Sequence, residues 1–388
     1  MTHEYLVPDY MPDFACKMGA CRSACCEGWP ISFTMNDYFR LLGVPCSPEL
    51  RKRLDGSMQL ALHPTPEEYA QITPRYDGRC PMRMDDGRCM LHAELGEDAL
   101  AAVCRLYPRG VRGEDGRLEC SCANSCEAVL ELLLAREAPL TFVRCALPIE
   151  PPPAAPRQFF FETANRSLDI RLWLIAHMQD RRYPLPQRLL ALGKALHALD
   201  DALTAHDDAR VARLLSGEET TPAPEAPAPG GTQLAFGLRV AERMLRIMDA
   251  RSVSIREYGA QALAFFGTDD RALPRYREAA ARFATLMPGW TAWFEHMLVN
   301  HMFFVQFPYQ DRPVSLRDEF TALCAVYTLL RFLCVGWTAE HPAQSAAVDV
   351  AAAAFRLIDH TEFDRYAAPI LKELGCDDPT KLSGLLCL

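Results

Sequence analysis

The chain has 388 residues, 49% of them apolar and 23% charged, a profile that fits a well-cored globular protein and excludes disorder, collagen and coiled coil for the chain as a whole. A net charge of −9 lacks the lysine and arginine excess that neutralises backbone phosphates, so a dedicated nucleic-acid binder is excluded as well. The unusual number is 16 cysteines, twelve in the first 145 residues and four in the rest.

The opening residues, Met-Thr-His-Glu-Tyr-Leu-Val-Pro-Asp-Tyr, carry no basic segment, apolar run or small-residue cleavage site, which predicts a cytoplasmic protein. In a reducing compartment a dense thiol set points to metal rather than to disulfides. Residues 1–148 read as an irregular region rich in turn pairs such as Asp77-Gly78, Asp86-Gly87 and Asp115-Gly116, with little core of its own. A proline cluster, Pro148 to Pro156, marks the boundary to an α-helical domain over 149–388. There Leu185, Leu189, Leu192, Leu196 and Leu199 recur at steps of four and three, one apolar stripe down a helix. Residues 216–232 are rich in proline and alanine and predict a disordered insertion. Helices are then expected over 233–249, 253–267, 272–287, 291–306, 316–336, 345–358 and 362–374. No strand-turn-helix repeat announces a doubly wound sheet, so the fold class is mainly α behind a Cys-rich front. No run approaches the roughly 20 apolar residues that span a bilayer. The stretch 298–307 is interrupted by Asn300, His301 and Gln306 and stopped by Pro308, although its aromatic character leaves peripheral membrane contact open.

The densest signal is Cys16-Lys-Met-Gly-Ala-Cys21-Arg-Ser-Ala-Cys25-Cys26-Glu-Gly-Trp29, four thiols within eleven residues. Glycine in such a loop lets the backbone bend around a cluster, while the adjacent Cys25 and Cys26 diverge too readily to serve one metal without strain. A second set is Cys80 and Cys89 around the Asp86-Gly87 turn, followed by Cys104 and then by Cys120, Cys122 and Cys126. Together they exceed the needs of one four-coordinate centre, leaving one cluster with spare thiols or two sites. Paired Cys-x-x-Cys knuckles are lacking, so iron–sulfur is favoured over zinc on spacing. Cys46, Cys145, Cys324, Cys334, Cys376 and Cys387 stand alone and read as packing residues.

At these residues the sequence resembles the flagellin lysine-N-methylase family and, more distantly, small cysteine-cluster proteins that bind zinc or iron. The likeness runs through Phe14-Ala-Cys16, Cys21-Arg-Ser-Ala-Cys25-Cys26, Gly28-Trp29, Cys80-Pro81, Cys89-Met-Leu-His92, Leu95-Gly96-Glu97, Cys104-Arg105-Leu106-Tyr107-Pro108-Arg109 and Leu118-Glu-Cys120-Ser-Cys122, and more loosely through 295–308. The resemblance implies methyl transfer from S-adenosylmethionine to ε-amino groups of flagellin lysines in the cytoplasm, dependent on a 4Fe-4S cluster. No Gly-x-Gly-x-Gly loop after a strand is present, so a non-standard adenosylmethionine site is required.

On that reading three or four of Cys16, Cys21, Cys25, Cys26, Cys80, Cys89 and Cys104 are cluster ligands. Arg105 and Arg109 could fork around the methionine carboxylate, with an ordinary ion pair as the alternative for each. Tyr107 is either an amine-orienting hydroxyl or a core aromatic; His92 is a ligand, a proton acceptor or a turn residue. Glu295, Asn300 and His301 read as structurally satisfied polar residues, and Met302, Phe303, Phe304 and Phe307 as core. The competing reading is non-enzymatic, a zinc- or iron-stabilised module in front of a helical protein-binding scaffold.

Overall fold

A computed structural model describes residues 2–22, 25, 31–114, 116–151, 166–220, 225, 230–248, 253–309, 314–376 and 378–386. The chain opens with β1 (His3–Pro8), then runs through β2 (Ile31–Phe33), α1 (Met35–Gly43), α2 (Pro48–Ser57), β3 (Met58–Leu60), β4 (Ala70–Ile72), α3 (Met90–Leu95) and α4 (Ala102–Leu106). Next come β5 (Arg109–Glu114), β6 (Arg117–Cys122), α5 (Glu127–Leu134) and β7 (Phe142–Leu147). From there on the described elements are helices: α6 (Ser167–Met178), α7 (Leu185–Thr204), α8 (Asp208–Ser216), α9 (Gly231–Met248), α10 (Val253–Phe266), α11 (Ala272–Leu286), α12 (Trp290–Phe304), α13 (Leu316–Glu340), α14 (Gln344–Ile358), α15 (Phe363–Glu373) and α16 (Pro379–Leu386). The expected helices after residue 232 are all present, with ends moved by a few residues.

Two compact units emerge. The smaller comprises residues 13–110 and 126–128; the larger comprises 1–12, 111–125 and 129–388. The sequence boundary at 148/149 falls inside the larger unit, because β1, β6 and β7 build its sheet. That sheet has the order β5-β6-β1-β7, with β1 parallel to β6 and antiparallel to β7 from His3↔Leu147 to Pro8↔Phe142. Tyr5 and Val7 alternate inward on β1 and are fully buried, as a strand with one covered face requires.

In the larger unit the leucine stripe of α7 is buried throughout. The α13 helix is capped by Ser315, whose hydroxyl accepts from the Asp318 N–H, and packs against α7, α10, α11, α14 and α15. Here the structure departs from the sequence expectation that no segment is long and apolar enough to cross a membrane. The α13 helix is, by length and composition, but 94% of its apolar window is buried inside the bundle. A helix surrounded by others is apolar on every side because every side meets a neighbour.

The smaller unit is less irregular than its turn-rich sequence suggests. It holds a three-stranded antiparallel sheet, β2-β4-β3, and the helices α1 to α4. Thr34 and Ser47 cap α1 and α2, each hydroxyl accepting a backbone N–H of the first turn, and Pro48 fits the first turn of α2, where no N–H is needed. Ile31, Phe33, Leu41, Leu50, Leu54, Ile72, Met82 and Leu91 form its core. The 221–224 and 226–229 parts of the proline-alanine insertion, and most of the 148–156 proline cluster, lie outside the described residues.

Candidate functional site

The thiol-bearing loop of the smaller unit begins at Cys16. The Ala20 N–H donates to the Lys17 carbonyl at 3.0 Å across a tight turn whose central residues, Met18 and Gly19, have φ of +53° and +99°. Gly19 is required there twice over. Its φ is positive, and a Cβ at Gly19 would sit 2.5 Å from the carbonyl carbon of Gly87. Gly87 belongs to the Asp86-Gly87 turn between Cys80 and Cys89, so the two cysteine segments singled out by spacing meet backbone to backbone.

Cys16 is exposed, and its sulfur accepts the Met18 N–H at 3.4 Å. Cys21 is half-buried. Burial, reinforced by the Glu127 carboxylate and by Cys126 and Cys16 nearby, pushes its thiol up to about 11, so it is protonated near neutral pH and a metal must displace the proton to bind. Cys126, half-buried, directly precedes α5. Glu127, fully buried, accepts from Lys17 Nζ at 2.6 Å and from the Arg22 backbone N–H at 2.8 Å, and lies 3.2 Å from Arg22 Nη1. Burial alone would raise its carboxyl, but the Lys17 hydrogen bond and the Arg22 charge outweigh it and hold it below the usual carboxylate range.

Cys16 and Cys126 thus both lie near enough to act on the Cys21 thiol, and Cys126 is a residue that the sequence reading places in the second cysteine set but outside the expected ligands. The overlooked signal is its place immediately before an apolar helix with an acidic first residue. Cys25 is exposed; Cys26, Gly28 and Trp29 lie outside the described residues. The other expected ligands lie around the apolar core. Cys80 is buried in it, and Cys89 and Cys104 pack at its edge, as does Cys46, expected to be a packing residue. Among the described residues no three His, Cys, Asp or Glu side chains already stand in metal-binding geometry. The donor set itself suits a soft centre: thiols on short loops, with a backbone N–H turned to sulfur, match iron–sulfur or zinc rather than a hard cation.

The remaining candidates do not converge. Arg105 donates to the Asp98 carbonyl at 3.4 Å, whereas Arg109 lies 5.0 Å over the Phe14 ring. Tyr107 ends α4, its N–H bonded to the Val103 carbonyl at 2.9 Å. His92 is half-buried in the last turn of α3 and accepts the Gly96 N–H at its carbonyl. In the larger unit Glu295 is gripped by Arg181 at 2.8 and 2.9 Å and by Arg188 at 2.5 Å. Asn300 donates to the Cys122 carbonyl and to Asn124 Oδ1 and accepts from the Tyr10 hydroxyl, while His301 Nδ1 lies 2.8 Å from Asp359. These buried groups are fully occupied with one another, as expected of structural polar residues. Cys324, Cys334 and Cys376 are buried as expected of packing thiols; Cys145 is half-buried on β7, and Cys387 lies outside the described residues.

Residues 171–385, more than half of the chain and all within the larger unit, match the FliB lysine N-methylase C-terminal domain. The lysine-N-methylases of Salmonella choleraesuis (strain SC-B67) and Salmonella typhimurium (strain LT2) are each 24% identical over 128 residues, covering 33% of this chain and 31% of theirs. The match therefore spans about a third of the length of these relatives. No solved structure matches the chain significantly. The family match over more than half of the chain places it in the FliB lysine N-methylase family.

Proposed function

We propose that the chain is a protein-lysine N-methyltransferase that uses S-adenosylmethionine as donor, modifies flagellin in the cytoplasm, and depends on a 4Fe-4S cluster held by Cys16, Cys21 and Cys126. The observation that carries the reading is the family match over the helical domain; the thiol loop supports the cluster. Cys16, Cys21 and Cys126 would hold such a cluster through their thiolates, and the cluster would supply an iron site for binding the donor. The protein must also hold a lysine in its neutral form in line with the methyl group and exclude water, so positioning supplies much of the rate. Among the described residues the sheet has one parallel pair and no βαβ repeat, which agrees with a donor site outside the Rossmann type.

The test mixes anaerobically purified protein, reductant, S-adenosylmethionine and flagellin, and reads lysine methylation by mass spectrometry. Methyl additions are expected. No addition while the cluster is shown intact would overturn the reading, and a colourless protein with stoichiometric zinc would favour the non-enzymatic module. Cys21→Ser and Cys126→Ser are expected to remove both iron and activity.

A further inference from the structure

We propose that Glu127 is the positioning residue of the thiol loop, holding Cys16 and Cys21 beside Cys126 before any metal arrives. The inference rests on the reading of these three thiols as ligands. Each is followed in sequence by a charged residue, Lys17, Arg22 and Glu127, and those three charges meet. Both carboxylate oxygens are engaged. One accepts from Lys17 Nζ at 2.6 Å and faces Arg22 Nη1 at 3.2 Å; the other accepts from the Arg22 backbone N–H at 2.8 Å. Charge-assisted bonds from two points of one loop to a single carboxylate fix the loop in position as well as in energy.

The loop needs such a hold. Cys16 and Met18 are exposed, so apolar burial does little to offset the entropy lost when this backbone is ordered. A further restraint is the backbone contact of Gly19 with Gly87 at the tip of the turn. Gly19 fixes where the tip lies, and Glu127 fixes the residues beside the two sulfurs. Because Glu127 is bonded directly to Cys126, the anchor and the third thiol share one stretch of backbone.

The test uses the full-length, chelator-treated protein and three variants, Glu127→Gln, Glu127→Asp and Lys17→Met. Iodoacetamide labelling of Cys21, with Cys80 of the same unit as internal control, is followed by mass spectrometry. Cadmium affinity is read from thiolate-to-metal absorption. For Glu127→Gln, Cys21 labelling is expected to speed up, and cadmium affinity to fall, by about tenfold or more, with Cys80 labelling unchanged. Glu127→Asp recovers most of both, and Lys17→Met lies between, keeping the test available if Glu127→Gln does not fold. Wild-type labelling and affinity in Glu127→Gln or Lys17→Met would overturn the proposal, as would a parallel rise at Cys80, which marks general loosening of the unit. Cadmium affinity unaffected by both Cys21→Ser and Cys126→Ser in the otherwise unaltered chain would instead remove the ligand reading, so the two failures are told apart.

Discussion

Glu295 and Glu127 are both buried carboxylates gripped by two cations, yet they belong to regions built on different terms. Glu295 sits on α12, and its partners Arg181 and Arg188 lie in the turn after α6 and on α7, elements already fixed by apolar packing. Glu127 draws its partners from a loop that packing does not fix. In the larger unit the ion pairs complete a structure that burial has made; in the smaller one an ion pair is part of what makes the structure. The same interaction is thus a matter of global stability in one place and of local order in the other.

The largest test of that contrast is Glu295→Ala, which leaves the buried Arg188 and the exposed Arg181 without their carboxylate. Such a loss is expected to cost about 3–5 kcal/mol in guanidinium unfolding. Glu127→Ala is expected to shift the main unfolding transition far less while exposing Cys21 to alkylation; equal shifts would erase the distinction. Next in size is Gly87→Ala. Its Cβ would lie 2.2 Å from the Gly19 carbonyl oxygen at a φ of +87°, with backbone on both sides and nothing flexible to yield. A local cost of about 1–3 kcal/mol is expected, read as faster Cys21 labelling.

Acidification separates the two regions further. Burial lowers the pKa of His296 and of His197, so the unfolded chain takes up protons first as pH falls. The stability they contribute is full above about pH 6.5 and declines below it. Glu127, lowered in the folded state, keeps its contribution down to the ordinary carboxylate range near about pH 4.3 and loses it as pH falls further through the folded pKa. Unfolding midpoints should therefore begin to fall near pH 6.5, whereas hydrogen exchange in residues 16–22 should accelerate at more acid pH. Acceleration of both in the same window would contradict the assignment. The smallest effect is expected for Cys145→Ser, half-buried on β7: a stability change within about 0.5 kcal/mol and unchanged iron content.

Much of the helical body was legible because its signal is local. The leucines of α7 repeat with the helix period, and the ends of α9 to α15 lie close to where the apolar pattern starts and stops. The strands were not, because β2, β3 and β4 have three residues each, too few for an alternation to register, and β1 finds its parallel partner at Leu6↔Glu119. The thiol site was half legible. Density along the chain marked Cys16 and Cys21, but Cys126 joins them through space from more than a hundred residues away. Glu127 carried no mark of its own, since a single acidic residue in a first helical turn is ordinary. Glu295, Asn300 and His301 have closed networks of partners, as their expectation as satisfied polar residues requires.

The position of β1 between β6 and β7 has a consequence for synthesis. At about 5–20 residues per second, a ribosome releases β1 several seconds before the strands on either side of it exist. Over the same interval the loop bearing Cys16 and Cys21 is already made, while Cys126 and its anchoring carboxylate are still to come. The order in which the chain is written therefore sets the thiols free first and brings the group that gathers them last, at nearly the moment β6 arrives to pair with the waiting strand.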